Sequence, residues 1–244
     1  MNTYQTLEYT NDDTVATIRL LHQHSTMKMV RELTAVCDHL EDHNSCQVVV
    51  FRGSHGCFSK GIDFAEFRPD APMDIHGFNK WEKMCRRIET LPKATIALLE
   101  GEVIGGGVQL ALCTDVRIAS PGATLTLPEV GLGFLPGMAV FRLAKYVGLG
   151  RAKQIILRGL PITAAQGHSL GLVDSLCEQE ALDEQLSSLI NEFVPLNPIA
   201  HQLARRLLNE SFEDSFENAI GHFLAAQQRA VSQPAFNSTI RKQS

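Results

Sequence analysis

Apolar residues along the chain switch between two spacings. Val15, Ile18 and Leu20 fall within a short segment, 14–20, that reads as a strand. Residues 47–51 (QVVVF) and 94–99 (ATIALL) are short continuous apolar runs, the pattern of strands buried on both faces. Between the first two of these segments Met27, Val30, Leu33, Cys37 and Leu40 recur at three- and four-residue steps, which places one face of a helix on a core. Phe78, Trp81, Met84, Cys85, Ile88 and Leu91 trace a second such helix, stopped by Pro92. Further on, 116–119, 124–127 and 173–176 read as strands, while 108–113, 138–147 and 151–157 read as helices. From Ala181 only helical periods remain, the clearest being the stripe of Phe212, Phe216, Ile220, Phe223, Leu224 and Gln227. The pattern predicts an α/β core over residues 1–192 followed by a helical region over 193–244.

Composition narrows the class. With 244 residues, 44% of them hydrophobic and 20% charged, the chain has the make-up of a water-soluble globular protein with a sizeable core. The net charge of −5 argues against nucleic acid as a partner, since phosphate backbones are met by basic surfaces. No apolar stretch is long enough to span a bilayer, so no membrane role is expected. The start, MNTYQTLEYTNDDTV, has neither the basic nor the apolar part of a secretory leader, and a cytoplasmic location is expected. Cys37, Cys46, Cys57, Cys85, Cys113 and Cys177 are scattered without a CxxC pair, as befits buried free thiols. Their spacing supports no metal site.

Candidate chemistry concentrates in three segments. Residues 58–63 (FSKGID) and 104–109 (IGGGVQ) each follow a predicted buried strand and precede a helix. Such junctions expose backbone N–H groups that can stabilise developing negative charge. Neither is a phosphate loop: Lys60 is followed by Gly61, and GGGVQL lacks the third glycine of a dinucleotide fingerprint. In the third segment, LPEVGLGFLPG at 127–137, Glu129 is the one carboxylate in an apolar, Gly/Pro-bent stretch. Loss of hydration there would raise its pKa and make it a proton carrier near neutral pH. Asp63 is placed to cap the helix after it, and Asp115, just before a strand, reads as structural.

Together FSKGID, EGEVIGGGVQLALCTDVRIAS at 100–120, LPEVGLGFLPG and GRAKQIILRGLPITAAQGHSLGLVD at 150–174 resemble the crotonase, or enoyl-CoA hydratase/isomerase, superfamily. The resemblance implies a crotonase-like spiral of ββα units with a C-terminal helical region that packs trimers, or dimers of trimers. It implies an acyl-CoA or acyl-carrier-protein thioester as substrate, with coenzyme A entering only as part of the substrate and no separate cofactor. It places an oxyanion hole at the backbone N–H groups of Ile62 and Gly106. Phe58, Lys60, Gly61, Gly105, Gly107 and Phe134 become substrate-binding candidates. Glu129 matches the second glutamate of the family's hydratases, but the first is replaced by Gln109. Glutamine can hold a water or a substrate group yet exchanges no proton at neutral pH. The first expectation is therefore migration of an enoyl double bond through a dienolate, with Glu129 as acid/base. Hydration of a 2-enoyl thioester is the alternative, and decarboxylation or a non-catalytic trimeric scaffold stand behind it. The entry to the first helix, LHQHST at 21–26, also departs from the family's asparagine-rich sequence, which normally helps hold CoA.

Overall fold

A computed structural model describes residues 4–42, 45–66 and 75–236. The chain runs through β1 (Leu7–Asn11), β2 (Val15–Leu20), α1 (Met27–Asp42), β3 (Val48–Arg52), α2 (Ile75–Thr90), β4 (Ala94–Leu99), β5 (Glu102–Ile104), α3 (Gly106–Leu112), β6 (Val116–Ala119) and β7 (Thr124–Thr126). Then come α4 (Ala139–Val147), α5 (Leu149–Arg158), β8 (Ile162–Thr163), α6 (Ala164–Ser169), β9 (Ser175–Leu176), α7 (Leu182–Phe193), α8 (Pro198–Glu210) and α9 (Phe216–Val231).

One sheet has the order β1-β2-β3-β4-β6-β9, and a smaller one the order β5-β7-β8. Apart from the antiparallel β1–β2 hairpin, every pairing in the larger sheet is parallel. Parallel strands need crossovers: α1 joins β2 to β3, α2 joins β3 to β4, β5 with α3 joins β4 to β6, and β7, α4, α5, β8 and α6 together join β6 to β9, which is the expected ββα spiral. The central strands β3 and β4 are almost wholly apolar because both faces are covered. Val49, Phe51, Ala97 and Leu99 face the main core with α1 and α2, whereas Val48, Val50, Ile96 and Leu98 meet Leu182 and Leu186 of α7.

Two buried arginines tie later elements to this frame. Arg205 of α8 pairs with Asp115 at 2.8 Å and donates to the carbonyls of Glu89 (2.6 Å) and Leu91 (2.7 Å). Asp115 also accepts from Thr95 N–H at 2.8 Å, so it is the structural residue its position suggested. Arg117 donates to the carbonyls of Leu172 and Thr114 and pairs with Asp174 at 2.8 Å.

Three strands escape the sequence pattern: β1, β5 and β8. They are short and bury little, β1 showing one buried position in five and β5 one in three, so no alternation is available to announce them. The last strand is confined to Ser175–Leu176. The stripe of the final helix is corrected at its start, for Ser215 caps α9 by accepting from Asn218 N–H, leaving Phe212 outside. Phe216, Ile220, Phe223 and Leu224 stand exposed on α9, so much of this apolar face is left open by the described residues. Cys37, Cys46, Cys57, Cys85 and Cys113 are buried and free, and Cys177 is free and half-buried, in line with expectation. Among the described residues no helix is long and apolar enough to cross a membrane.

Candidate active site

The first glycine loop is pinned to the smaller sheet. Phe58 N–H donates to Glu100 O at 2.8 Å, Ser59 bridges Val103, and Ile104 N–H returns to Ser59 O at 2.8 Å. On its other side, Ser25 N–H donates to Gly61 O (2.7 Å) and Asp63 N–H to Ser25 O (3.0 Å). The unusual 21–26 entry segment therefore serves to brace this loop. Both neighbours of Ile62 are used by that bridge, while Ile62 N–H has no acceptor among the described residues. Asp63 Oδ1 accepts from Ala65 N–H at 2.9 Å, the capping role expected of it.

The second loop opens α3. Gly105 lies at φ 53 and its N–H donates to Thr126 O at 2.8 Å. Gly106, the first helical residue, has no intrahelical acceptor for its N–H and none elsewhere among the described residues. The two loops touch: a Cβ on Gly61 would sit 3.3 Å from Gly106 N, and one on Gly107 2.6 Å from Ser59 O. Ile62 and Gly106 are thus brought together as a pair of unengaged backbone donors.

Glu129 begins a single 3-10 turn, Glu129–Leu132, just after Pro128. Its side chain lies against Gly105, where a Cβ would come within 2.5 Å of Oε1, and its Oε2 is buried without a hydrogen-bond partner. Only 4% of Glu129 is exposed. Burial raises its carboxyl above the ordinary value, a rise only partly offset by a hydrogen bond from its own backbone. Gln109 stands one turn into α3, its N–H donating to Gly105 O at 3.1 Å, and its side-chain Oε1 is likewise buried and unpartnered. The pair predicted from sequence therefore meets around the first turn of α3.

The remaining candidates divide. Phe58 is wholly buried in the main core and supplies a fixed loop in place of a ligand surface. The Lys60 ammonium is held 2.8 Å from Glu102, which raises its pKa through hydrogen bonding and charge. Phe134 N–H donates to Glu129 O at 3.0 Å, and its ring meets the exposed ring of Phe64 edge-on at 6.1 Å between centroids. These two aromatics join the segment carrying Ile62 to the segment carrying Glu129. His201 packs edge-on against Phe193, and His222 faces Asp214 and Glu210, all far along the chain from the loops.

Two side chains at the site were missed. Glu82 Oε1 accepts from Met138 N–H at 2.9 Å, and Glu82 Oε2 from Arg142 at 3.2 Å. A Cβ on Gly137 would meet Glu82 Oε1 and both amide atoms of Gln109, so Glu82 and Gln109 flank the same glycine. Trp81, read as one of a core stripe, lies against Gly106, with ring atom Cζ2 2.9 Å from where a Cβ would stand. No local signal separates either residue from an ordinary amphipathic helix. A cavity of about 610 Å³ lies elsewhere, between α5 and α6. Its lining includes Arg158 but no carboxylate, so chemistry and not volume locates the site.

Comparison with known proteins shows the family and the fold. The family model described as enoyl-CoA hydratase/isomerase matches residues 11–243. An Amycolatopsis orientalis enoyl-CoA-hydratase is 33% identical over 206 residues, spanning 84% of this chain and 90% of that protein. The structure of enoyl-CoA hydratase from Bacillus anthracis superposes with a TM-score of 0.91 at 24% identity, covering 97% of this chain and 95% of that one, which shows the shared fold. A Thermobifida fusca protein solved in complex with acetoacetyl-CoA superposes with a TM-score of 0.84 at 25% identity, over 93% of this chain and 95% of that one.

Proposed function

The chain belongs to the enoyl-CoA hydratase/isomerase family, and from that premise we propose that it adds water to, or removes it from, an enoyl thioester of coenzyme A, with Glu129 as acid/base. The observation that carries this reading is the buried Glu129 carboxyl, raised in pKa and lying against Gly105, one helical turn before Gln109 and next to the unengaged N–H of Gly106. The thioester carbonyl accepts from Ile62 N–H and Gly106 N–H, which hold the charge that gathers on its oxygen. Ionised Glu129 takes a proton from water as the water oxygen bonds to C3, giving an enolate. The same carboxyl then returns that proton to C2, so the carboxylate is regenerated and the sum is addition of H and OH. One carboxyl suffices for both transfers, and Gln109 takes the part of a hydrogen-bonding holder. The hydratase named among the relatives and the acetoacetyl-CoA bound by the Thermobifida protein support this choice.

Gln109 favours a second reading, double-bond migration, which needs only one base. There Glu129 removes a proton from C2 of a 3-enoyl thioester and returns it to C4, through a dienolate on the same two N–H donors. Turnover of 2-enoyl-CoA and 3-enoyl-CoA in deuterated water, followed by mass spectrometry, separates the two. Hydration yields a 3-hydroxyacyl product carrying deuterium at C2. Interconversion of enoyl species without that product would overturn it in favour of migration. An acyl-carrier-protein thioester presents the same reacting atoms and is tested as a parallel substrate. We place the protein in the cytoplasm as a trimer or dimer of trimers, with the exposed stripe of α9 among its subunit contacts.

The pH profile follows from the sign of the Glu129 shift. Both readings begin with the ionised carboxylate, whose pKa is raised by burial, so kcat/KM should fall as pH drops through that raised value. The acid limb should lie above the ordinary carboxylate range near about 4.3. A profile flat down to that range would show that Glu129 does not act as the base.

A further inference from the structure

Six buried side-chain polar atoms among the described residues lack a hydrogen-bond partner, and three of them, Trp81 Nε1, Gln109 Oε1 and Glu129 Oε2, belong to one place. Trp81 packs on Gly106, its Cε2, the ring carbon bonded to Nε1, 3.7 Å from where a Cβ would stand. Glu129 packs on Gly105 in the same way. Gln109 follows these glycines by three and four residues, the spacing that puts side chains on one face of a helix. One donor and two acceptors therefore gather over the first turn of α3. Native structures rarely leave such groups unsatisfied, and an oxygen bearing hydrogens that takes one hydrogen bond and gives two would satisfy all three.

We propose that Trp81, Gln109 and Glu129 together hold one oxygen, that of the water added to C3 or, in the reverse direction, that of the departing 3-hydroxyl, with Trp81 Nε1–H donating to it. This rests on the hydration reading for its chemistry. Bound water gives its hydrogens to Gln109 Oε1 and Glu129 Oε2, accepts from the indole, and keeps a second lone pair for attack on C3. Trp81 is thus a contact to the reacting oxygen as well as a packing residue beneath the oxyanion loop. It offsets what Gln109 cannot do: the glutamine fixes the water without taking its proton, and the indole fixes its orientation from the other side.

The chain has one tryptophan, so protein labelled with nitrogen-15 gives one indole resonance. In the ligand-free protein that proton should show a cross-peak to long-lived bound water, and Gln109→Leu should weaken it. A 3-hydroxyacyl-CoA should displace the water and shift the resonance more than the saturated acyl-CoA lacking the hydroxyl. Trp81→Phe, which keeps an aromatic ring but removes the N–H, should lower kcat for hydration by about three- to ten-fold with little change in KM, the value of a single hydrogen bond. An indole proton without a water contact and with equal response to the two ligands would overturn the proposal, as would a folded Trp81→Phe protein with unchanged kcat. The cross-peak is read without turnover, so it stands or falls separately from the hydratase reading, which fails if 2-enoyl-CoA yields no 3-hydroxyacyl product.

Discussion

Glu129→Gln should leave a folded protein that still binds an acyl-CoA but turns it over about a thousand-fold more slowly, within the range for loss of a general acid/base. That loss corresponds to about 4 kcal/mol of transition-state stabilisation. The amide is nearly isosteric, so it can occupy the space beside Gly105 where Oε1 now lies. It also removes the cost of holding a carboxylate in a buried place, so thermal stability should hold or rise. The proton, however, has nowhere else to go. Gln109 exchanges none, and Glu82 is committed to Met138 N–H and Arg142. The acid limb of the pH profile should vanish with the carboxyl. Steady-state kinetics together with calorimetric binding of a saturated acyl-CoA checks both halves. Retention of a tenth or more of wild-type kcat would mean that another group moves the proton.

This result would test a site that was only partly legible in the sequence. The loops around Ile62 and Gly106 and the lone Glu129 could be found because their chemistry is local: glycine clusters at strand–helix junctions, and one carboxylate in apolar surroundings. Gln109 was legible only through the family resemblance, as the residue standing where the first glutamate of the family's hydratases is expected. Trp81 and Glu82 were not. They sit on α2, whose periodic stripe says only that one face is buried. It takes the sheet order, with α2 leading into β4 and α3 following β5, to lay that face over Gly106 and Gly137. The stripe of α9 shows the same limit from the other side. Periodicity reports that a face is apolar, not what covers it, and Phe216 and Leu224 stand exposed among the described residues. Short strands such as β5 are invisible for a third reason, since their pairing partners and not their own residues define them.

Gly61→Ala should lower kcat/KM by about a hundred-fold or more, the scale for loss of one oxyanion donor. Gly61 holds φ 80, in the left-handed region, which costs a side-chain-bearing residue about 1–2 kcal/mol. Strain alone would only reduce stability. The added Cβ, however, would stand 2.7 Å from Ile104 O, a backbone atom of β5 that cannot swing aside, and 3.3 Å from Gly106 N. Relief requires the loop carrying Ile62 to withdraw from the end of β5 and the start of α3. That movement separates the two N–H groups whose closeness stabilises the enolate, while leaving Glu129 on its own turn beyond β7. Gly56→Ala separates the two effects. Gly56 also has a positive φ, 66, but a Cβ there meets nothing within 4 Å. It should share the strain and lose stability on the order of 1 kcal/mol while keeping wild-type kcat/KM. Thermal melts and enoyl-CoA kinetics on both variants make the comparison. Equal activity in the two would show that the contact between these loops does not set the oxyanion geometry. A large loss confined to Gly61→Ala would trace the catalytic power to an approach of two backbone segments that leaves no room for a methyl group.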